Sequence, residues 1–160
     1  MPVWLQPLNL GHVVLRVRDV DRSEEFYTNL LELGVRARYG NQMVFLNSSD
    51  ESSHELALMS VGPEAPGPEP DRVGMYHFAW RLSSLEDLRD LREQLVKNGL
   101  ESGIGNHGIS IALYFFDPDG NEIEAYYELP KKCWPDGDIF SGEYFPDGLE
   151  SDPSKLIGMK

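Results

Sequence analysis

The sequence predicts an α+β fold in which two βαβββ modules pair into one curved mixed sheet. Two observations carry this prediction: a pattern of strand, helix cap and helix that occurs twice, and three candidate strands after each helix. Repeats are considered first, because a missed repeat misassigns the whole fold. With 160 residues, the chain is long enough for one domain with a proper core and too short for two independent ones.

The repeat begins with two short segments whose composition is typical of strands. Residues 11–17 and 76–82 each contain a histidine and an arginine four positions apart, which places both side chains on one face of an extended chain. The two histidines, His12 and His77, are 65 residues apart. We therefore expect the two halves of the chain to be copies of one structural unit.

A helix is predicted after each of these strands. Residues 21–24 and 83–86 each begin with a capping side chain that is followed by an acid three positions later. Both helices are expected to stop at a glycine, Gly34 or Gly99, which lies 22 residues after the histidine of its half. Apolar residues recur between these limits at helical spacing, at Phe26, Leu30 and Leu33 and at Leu85, Leu88, Leu91 and Leu95.

Three candidate strands follow each helix. Those of the first half are residues 35–39, 42–47 and 54–60, and those of the second are a weak strand near Leu100, residues 109–116 and residues 121–128. The last two are joined by Asp-Pro-Asp-Gly, in which proline sets the backbone for a turn and glycine closes it.

The chain is expected to be a single domain, residues 1–160, with four parts. These are module one at about 8–61, a linker at 62–73, module two at about 74–129 and an irregular C-terminal extension at 130–160. The linker is rich in glycine and proline, which rules out a helix or a central strand. The extension is too aromatic for a disordered acidic segment, so we expect it to lie against the domain and to close a pocket or a dimer contact.

Composition excludes several classes of partner. The formal net charge of −13 argues against nucleic acid and anionic membranes, because phosphates would be repelled. The longest apolar runs, such as residues 111–116, are far shorter than the roughly 20 residues of a membrane-spanning helix. The start of the chain has no pattern of an export signal, and Cys133 is the single cysteine, so a reducing cytoplasmic location is expected.

His12 and His77 are candidate metal ligands. They occupy the same place in the two halves, so their imidazoles converge if the modules pair about a pseudo-twofold axis. Glu124 is the natural third ligand, since a strand carboxylate between apolar neighbours needs a partner. Two imidazoles and one carboxylate suit a non-haem iron(II) oxygenase. Two alternatives remain open: the histidines are hydrogen-bonded core residues, or Glu124 pairs with Arg16 or Arg81.

Residues 105–124 carry a recognisable pattern. It consists of Gly-x-His, a short spacer, an aliphatic residue followed by tyrosine, Asp-Pro-x-Gly and then glutamate. This pattern resembles the signature of the extradiol ring-cleavage dioxygenases, which belong to the vicinal oxygen chelate superfamily together with glyoxalase I and bleomycin-resistance proteins. The resemblance covers roughly residues 8 to 130 and corresponds to the single-domain branch.

The resemblance implies a site and a reaction. Its metal ligands fall on His12, His77 and Glu124, and the metal is iron(II), with manganese(II) as the alternative. His54, within a segment similar to the family's His-acid-apolar strand, becomes the acid/base group, while His107 and Tyr114 become hydrogen-bond donors near bound oxygen and substrate. The implied activity is catechol 2,3-dioxygenase-like: an aromatic diol is cleaved by O2 beside its hydroxyls, in aromatic hydrocarbon catabolism.

These three side chains also have ordinary interpretations. His54 can be a solvent-facing residue of an acidic loop, His107 a turn residue and Tyr114 a core residue with its hydroxyl at the surface. Histidine titrates near neutrality, however, so His54 is able to take a proton from a catechol and return it.

Two rival functions remain open. A glyoxalase-like isomerase or epimerase needs a fourth ligand from the first half, where the counterpart of Glu124 is Met59 by the 65-residue offset or Leu56 by strand pattern. Neither binds a hard cation, but Glu55 is one position away from Leu56 and keeps this rival open. The other rival is a metal-free resistance-type binding protein, which needs no ligand set. A homodimer is expected, because small domains of this kind often pair.

Overall fold

The computed structural model describes residues 7–141, 144–152 and 155. The chain divides into two compact units, Met1–Gly67 and Pro68–Lys160. Each unit contains one four-stranded mixed sheet and one α-helix, in the order strand, helix and three strands. The predicted α+β class and the repeated βαβββ order are therefore confirmed.

The first unit contains the elements β1 (Val13–Val17), α1 (Val20–Leu31), β2 (Gly34–Tyr39), β3 (Met43–Asn47) and β4 (Leu56–Ser60). Its sheet has the strand order β1-β4-β3-β2. Strand β1 runs parallel to β4, and the other neighbours are antiparallel. Alternate side chains of the central strands, such as Leu46 and Leu58, are fully buried and form one face of the core with helix α1.

Helix α1 departs from its predicted limits at both ends. It begins after Asp19, whose carboxylate accepts hydrogen bonds from the amides of Asp21 and Arg22, so the expected cap lay two residues too late. It ends at Leu31, and the next residue, Glu32, takes the left-handed conformation (φ 54°) expected for Gly34. Gly34 lies in β2 instead, where a Cβ atom would come within 2.8 Å of the Asn47 side chain.

The buried face of α1 also differs from the predicted face by one residue. Tyr27 is fully buried, whereas Phe26 and Leu30 are only half-buried. Leu33 is buried as expected, although it follows the helix.

The second unit contains the elements β5 (His77–Arg81), α2 (Leu85–Lys97), β6 (Gly103–Asn106), β7 (Ser110–Phe116), β8 (Glu122–Glu128) and two short 3-10 helices, Lys131–Cys133 and Gly148–Glu150. Its sheet repeats the arrangement of the first, with the strand order β5-β8-β7-β6. Helix α2 has a capping box between Ser84 and Asp87, one residue after the predicted position, and Gly99 follows its end with φ 69° as expected. All four predicted leucines of α2 are buried.

The two faces of this second sheet differ in chemistry. One face carries Leu113, Phe115 and Ile123, which are at most 1% exposed, and it packs against α2. The alternate positions form the polar face, which carries His77, Arg81, Tyr114, Glu122 and Glu124. The strict alternation of burial along β8 fixes this division, because a shift by one residue would exchange the two faces.

The described part of the C-terminal extension packs against the second unit. Trp134 donates a hydrogen bond from Nε1 to the Leu129 carbonyl at 2.8 Å, and Phe145 and Leu149 are almost fully buried. The expectation that this segment lies against the fold therefore holds for its described residues. Among those residues and the rest of the described chain, no helix is long and apolar enough to cross a membrane.

Candidate metal centre

His77 and Glu124 meet on the polar face of the second sheet. His77 Nε2 lies 3.1 Å from Glu124 Oε2 because β5 and β8 run parallel, with Ala79 beside Glu124. The two side chains are 29% and 14% exposed. Arg81 forms an ion pair with Glu128 at 3.3 Å. The alternative in which Arg81 pairs with Glu124 is therefore wrong.

Tyr114 completes this cluster from the neighbouring strand. It stands opposite Glu124 in the β7–β8 register, and its ring centre is 5.6 Å from that of His77. Burial, followed by a hydrogen bond to the Glu124 carboxylate and its charge, raises the pKa of Tyr114 to about 12. The phenol is therefore protonated over the whole neutral range and acts as a donor.

His107 is hydrogen-bonded to the same phenol. Its Nε2 lies 2.7 Å from the Tyr114 hydroxyl oxygen. When the phenolic proton is directed to Glu124, the tautomer of His107 that carries its proton on Nε2 donates to the phenol oxygen. His77, Glu124, Tyr114 and His107, which sequence reasoning had selected, thus lie together in one unit.

Gly105 makes this close approach possible, and its role was not recognised from the sequence. A Cβ atom at this position would lie 2.8 Å from His107 Nε2 and 2.8 Å from Tyr114 Cε2. Its partner across the β6–β7 ladder is Ala112, another small residue. The glycine of the Gly-x-His pattern was the available signal, and steric exclusion is its physical meaning.

His12 and His54 meet in the first unit. Their ring centres are 4.5 Å apart, and Phe45 packs edge-on against His54 at 5.0 Å. The Ser53 hydroxyl lies 3.1 Å from His54 Nδ1. His12 directly precedes β1, much as His77 begins β5, whereas His54 lies two residues before β4 and not within the predicted strand. Phe45 and Ser53 were not selected from the sequence.

The strand registers identify the first-unit counterpart of Glu124. Glu124 is paired with Ala79, which lies two residues after His77, and Ala57 is paired with Val14, which lies two residues after His12. Ala57 is therefore the counterpart, and both Met59 and Leu56 were wrong assignments. The offset of the repeat changes from 65 residues at the first strand to 67 at the last, because the connections between the strands differ in length.

Glu55 has local partners within its own unit. Its carboxylate accepts hydrogen bonds from the Ser48 amide at 2.9 Å and from the Ser52 hydroxyl at 2.6 Å. Burial by itself would raise the pKa of Glu55, but these hydrogen bonds outweigh it and lower the pKa. These hydrogen bonds hold the loop before β4 in place.

The donor atoms of the two histidine clusters fit a divalent transition metal. Imidazole nitrogen and carboxylate oxygen are ligands that iron(II) and manganese(II) accept, and His77 and Glu124 already place one of each within 3.1 Å. His77 Nδ1 is buried and has no hydrogen-bond partner among the residues that the structure describes. Within neither unit do three histidine, cysteine, aspartate or glutamate side chains of the described residues form a group that could hold a metal ion.

Comparison with known proteins places this chain in a family. The family model described as Glyoxalase/Bleomycin resistance protein/Dioxygenase superfamily matches residues 9–125. The Catechol-2,3-dioxygenase of Bacillus subtilis is 32% identical over 127 residues, which are 79% of this chain and 44% of that protein. The Biphenyl-2,3-diol 1,2-dioxygenase 2 of Rhodococcus globerulus is 30% identical over 149 residues, which are 89% of this chain and 76% of that protein.

Other matches differ in activity or show the fold alone. The Glutathione transferase FosA of Serratia marcescens is 31% identical over 121 residues, which are 74% of this chain and 79% of that protein. The crystal structure of a glyoxalase/dioxygenase from Nostoc punctiforme has a TM-score of 0.67 at 21% identity and covers 81% of this chain and 99% of that one. The chain belongs to the Glyoxalase/Bleomycin resistance protein/Dioxygenase superfamily.

Proposed function

We propose that this protein is an iron(II)-dependent extradiol dioxygenase, which cleaves an aromatic diol with O2 beside its hydroxyls. The observation that carries the proposal is the cluster of His77, Glu124, Tyr114 and His107 on one sheet face. The dioxygenase names of the relatives from Bacillus subtilis and Rhodococcus globerulus support the same activity.

The proposed ligands are His77, Glu124 and, from the first unit, His12. Support for His12 is its place directly before β1, which matches that of His77 at the start of β5. When bound, iron(II), or manganese(II) as the alternative, would supply open coordination positions for the diol and O2. Three neutral or singly charged donors keep the net charge low enough for an anionic diol to bind.

The surrounding side chains would handle protons and orientation. In the tautomer whose Nδ1 donates its proton to the Ser53 hydroxyl oxygen, His54 takes a proton from a catechol hydroxyl through Nε2 and later returns it. Tyr114 remains protonated, and its single proton would turn from the Glu124 carboxylate to the substrate oxygen when substrate binds. His107 holds the phenol in place through Nε2.

The first-unit geometry favours the oxygenase over the isomerase. A glyoxalase-like enzyme would need a fourth ligand, and Ala57, the counterpart of Glu124, has no donor atom in its side chain. Glu55 would have to leave the Ser48 and Ser52 hydrogen bonds in order to serve. We propose a cytoplasmic homodimer acting in aromatic hydrocarbon catabolism, on the grounds of the acidic surface, the single cysteine and the small size of the domain.

Oxygen uptake by anaerobically purified, iron-loaded protein tests the activity. With a panel of catechols we expect O2 consumption and a yellow ring-opened product of cleavage beside the diol. If no catechol supports oxygen uptake while the same protein isomerises a hemithioacetal, the dioxygenase assignment is wrong and Glu55 becomes the missing ligand.

A further inference from the structure

The C-terminal extension covers the turn that carries His107. We call residues 138–141 and 144–151 the strap. The Ile109 amide donates a hydrogen bond to the Ile139 carbonyl at 3.2 Å. Gly108 is buried beneath this contact with φ 70°, and a Cβ atom there would lie 2.5 Å from the Ile139 carbonyl oxygen. The backbone of the strap therefore lies directly on the turn between β6 and β7.

The strap is anchored again at two places beyond the turn. Phe145, only 2% exposed, packs edge-on against Tyr127, and its carbonyl accepts a hydrogen bond from Asn106 Nδ2 at 3.3 Å. On helix α2, Arg89 donates to the carbonyls of Leu149 at 2.6 Å and Ser151 at 2.7 Å.

His107 is exposed, although its neighbours in the turn are held by contacts with the strap. The strap contacts the residue before it, Asn106, and the two residues after it, Gly108 and Ile109. The imidazole itself is exposed and makes its hydrogen bond with Tyr114. An exposed side chain on a loose turn would populate several rotamers, and ordering it would cost entropy each time the hydrogen bond formed.

We propose that the strap is a positioning element for His107. By fixing the backbone on both sides of that residue, Phe145 and the Ile139 carbonyl keep His107 Nε2 on the Tyr114 hydroxyl. The catalytic importance of this contact rests on the proposed function. The dependence of the His107 hydrogen bond on the strap does not, because it concerns two parts of the same unit in the absence of substrate.

Nitrogen NMR of the four histidine side chains in the full-length, metal-free protein tests the dependence. Phe145→Ala removes the buried anchor, and Arg89→Met removes two hydrogen bonds at the far anchor while keeping a long helical side chain. Arg92→Met is the matched control, because Arg92 lies exposed on the same helix. The His107 resonances are assigned with His107→Gln.

We expect both strap variants to shift the His107 Nε2 resonance towards that of Tyr114→Phe, in which its partner is missing. The resonances of His12 and His54 should stay unchanged, and Arg92→Met should match the unsubstituted protein. If Phe145→Ala disrupts the whole unit, Arg89→Met alone decides. An unshifted His107 resonance in a folded strap variant would overturn the proposal.

Steady-state kinetics separates this proposal from the proposed function. If catechol cleavage is observed, the strap variants should lower kcat by roughly tenfold to a hundredfold, as expected for a displaced catalytic contact, and leave the KM for catechol within about twofold. An equal loss in Arg92→Met, or a change in KM alone, would contradict the positioning role. Absence of turnover in the unsubstituted protein would refute the proposed dioxygenase activity. The positioning role of the strap would then be decided by the NMR result alone.

Discussion

At the scale of single residues, Tyr114 connects the two kinds of group on the polar face. Its hydroxyl is shared between Glu124, a proposed metal ligand, and His107, a proposed hydrogen-bond donor. Burial and the neighbouring carboxylate hold its pKa near 12, so the phenol remains a donor at any pH at which the protein would work. The neighbouring phenol of Tyr126 lies on the same face, opposite Ala112.

Tyr114→Phe should retain the metal and lose most of the turnover. Removing a positioned donor lowers kcat by on the order of a hundredfold, whereas the ligands His77 and Glu124 remain. Metal analysis and steady-state oxygen uptake measure the two effects separately. Tyr126→Phe is the matched control and should behave like the unsubstituted protein; wild-type turnover in Tyr114→Phe would remove the phenol from the mechanism.

Glu55→Gln should affect stability and leave metal content unchanged. The pKa of Glu55 is lowered in the folded state, so its contribution is complete above the ordinary value of 4.5 and is lost as the pH falls through the folded value. We expect the variant to be less stable by about 1 kcal/mol at pH 7, with the difference vanishing in acid. Denaturant unfolding at several pH values measures this, and loss of bound metal would revive the isomerase.

At the scale of elements, strand β6 shows how backbone space determines the site. Gly103 and Gly105 lie on the same face of the strand, opposite Tyr114 and Ala112. A Cβ atom at Gly105 collides with both His107 and Tyr114, whereas one at Gly103 comes no closer than 4.0 Å to Tyr114 Cβ.

Gly105→Ala should therefore separate His107 from Tyr114 and abolish most of the turnover, while the fold and the metal are kept. Gly103→Ala is a control on the same strand and should cost little in activity. Circular dichroism, metal analysis and oxygen uptake on both variants check the expectation. Equal activity of the two variants would mean that the close approach at Gly105 has no catalytic role.

Helix α2 was more predictable than helix α1. The four leucines of α2 have a clear helical period and are all buried, since no nearby residue competes for that face. In α1, Asp19 accepts the first hydrogen bonds before Asp21 can, and Tyr27 replaces Phe26 in the core. The burial of Tyr27 depends on packing against the sheet, which a local pattern does not contain. The cap at Asp19 is a local contact with the amides two and three residues later.

At the scale of the whole molecule, the repeat predicted the architecture better than it predicted equivalent residues. His12 and His77 take matching places in the two units, but β4 is displaced by two residues, so that Ala57 corresponds to Glu124. Strand pairing fixes this register, and the sequence offset alone does not reveal it. Phe45 and Gly105 affect the site only through their shape: one packs against His54 and the other leaves room for His107 and Tyr114. Neither has a reactive group, so a search of the sequence for reactive side chains does not select them.

The central proposal is that one metal ion per chain is bound by His12 together with His77 and Glu124. Metal stoichiometry of anaerobically purified His12→Ala, compared with His54→Ala, tests this most directly, because the two imidazoles are in contact, with ring centres 4.5 Å apart, and only one of them is a proposed ligand. We predict near-complete loss of metal in His12→Ala and one ion per chain in His54→Ala. Full occupancy in His12→Ala would contradict the claim.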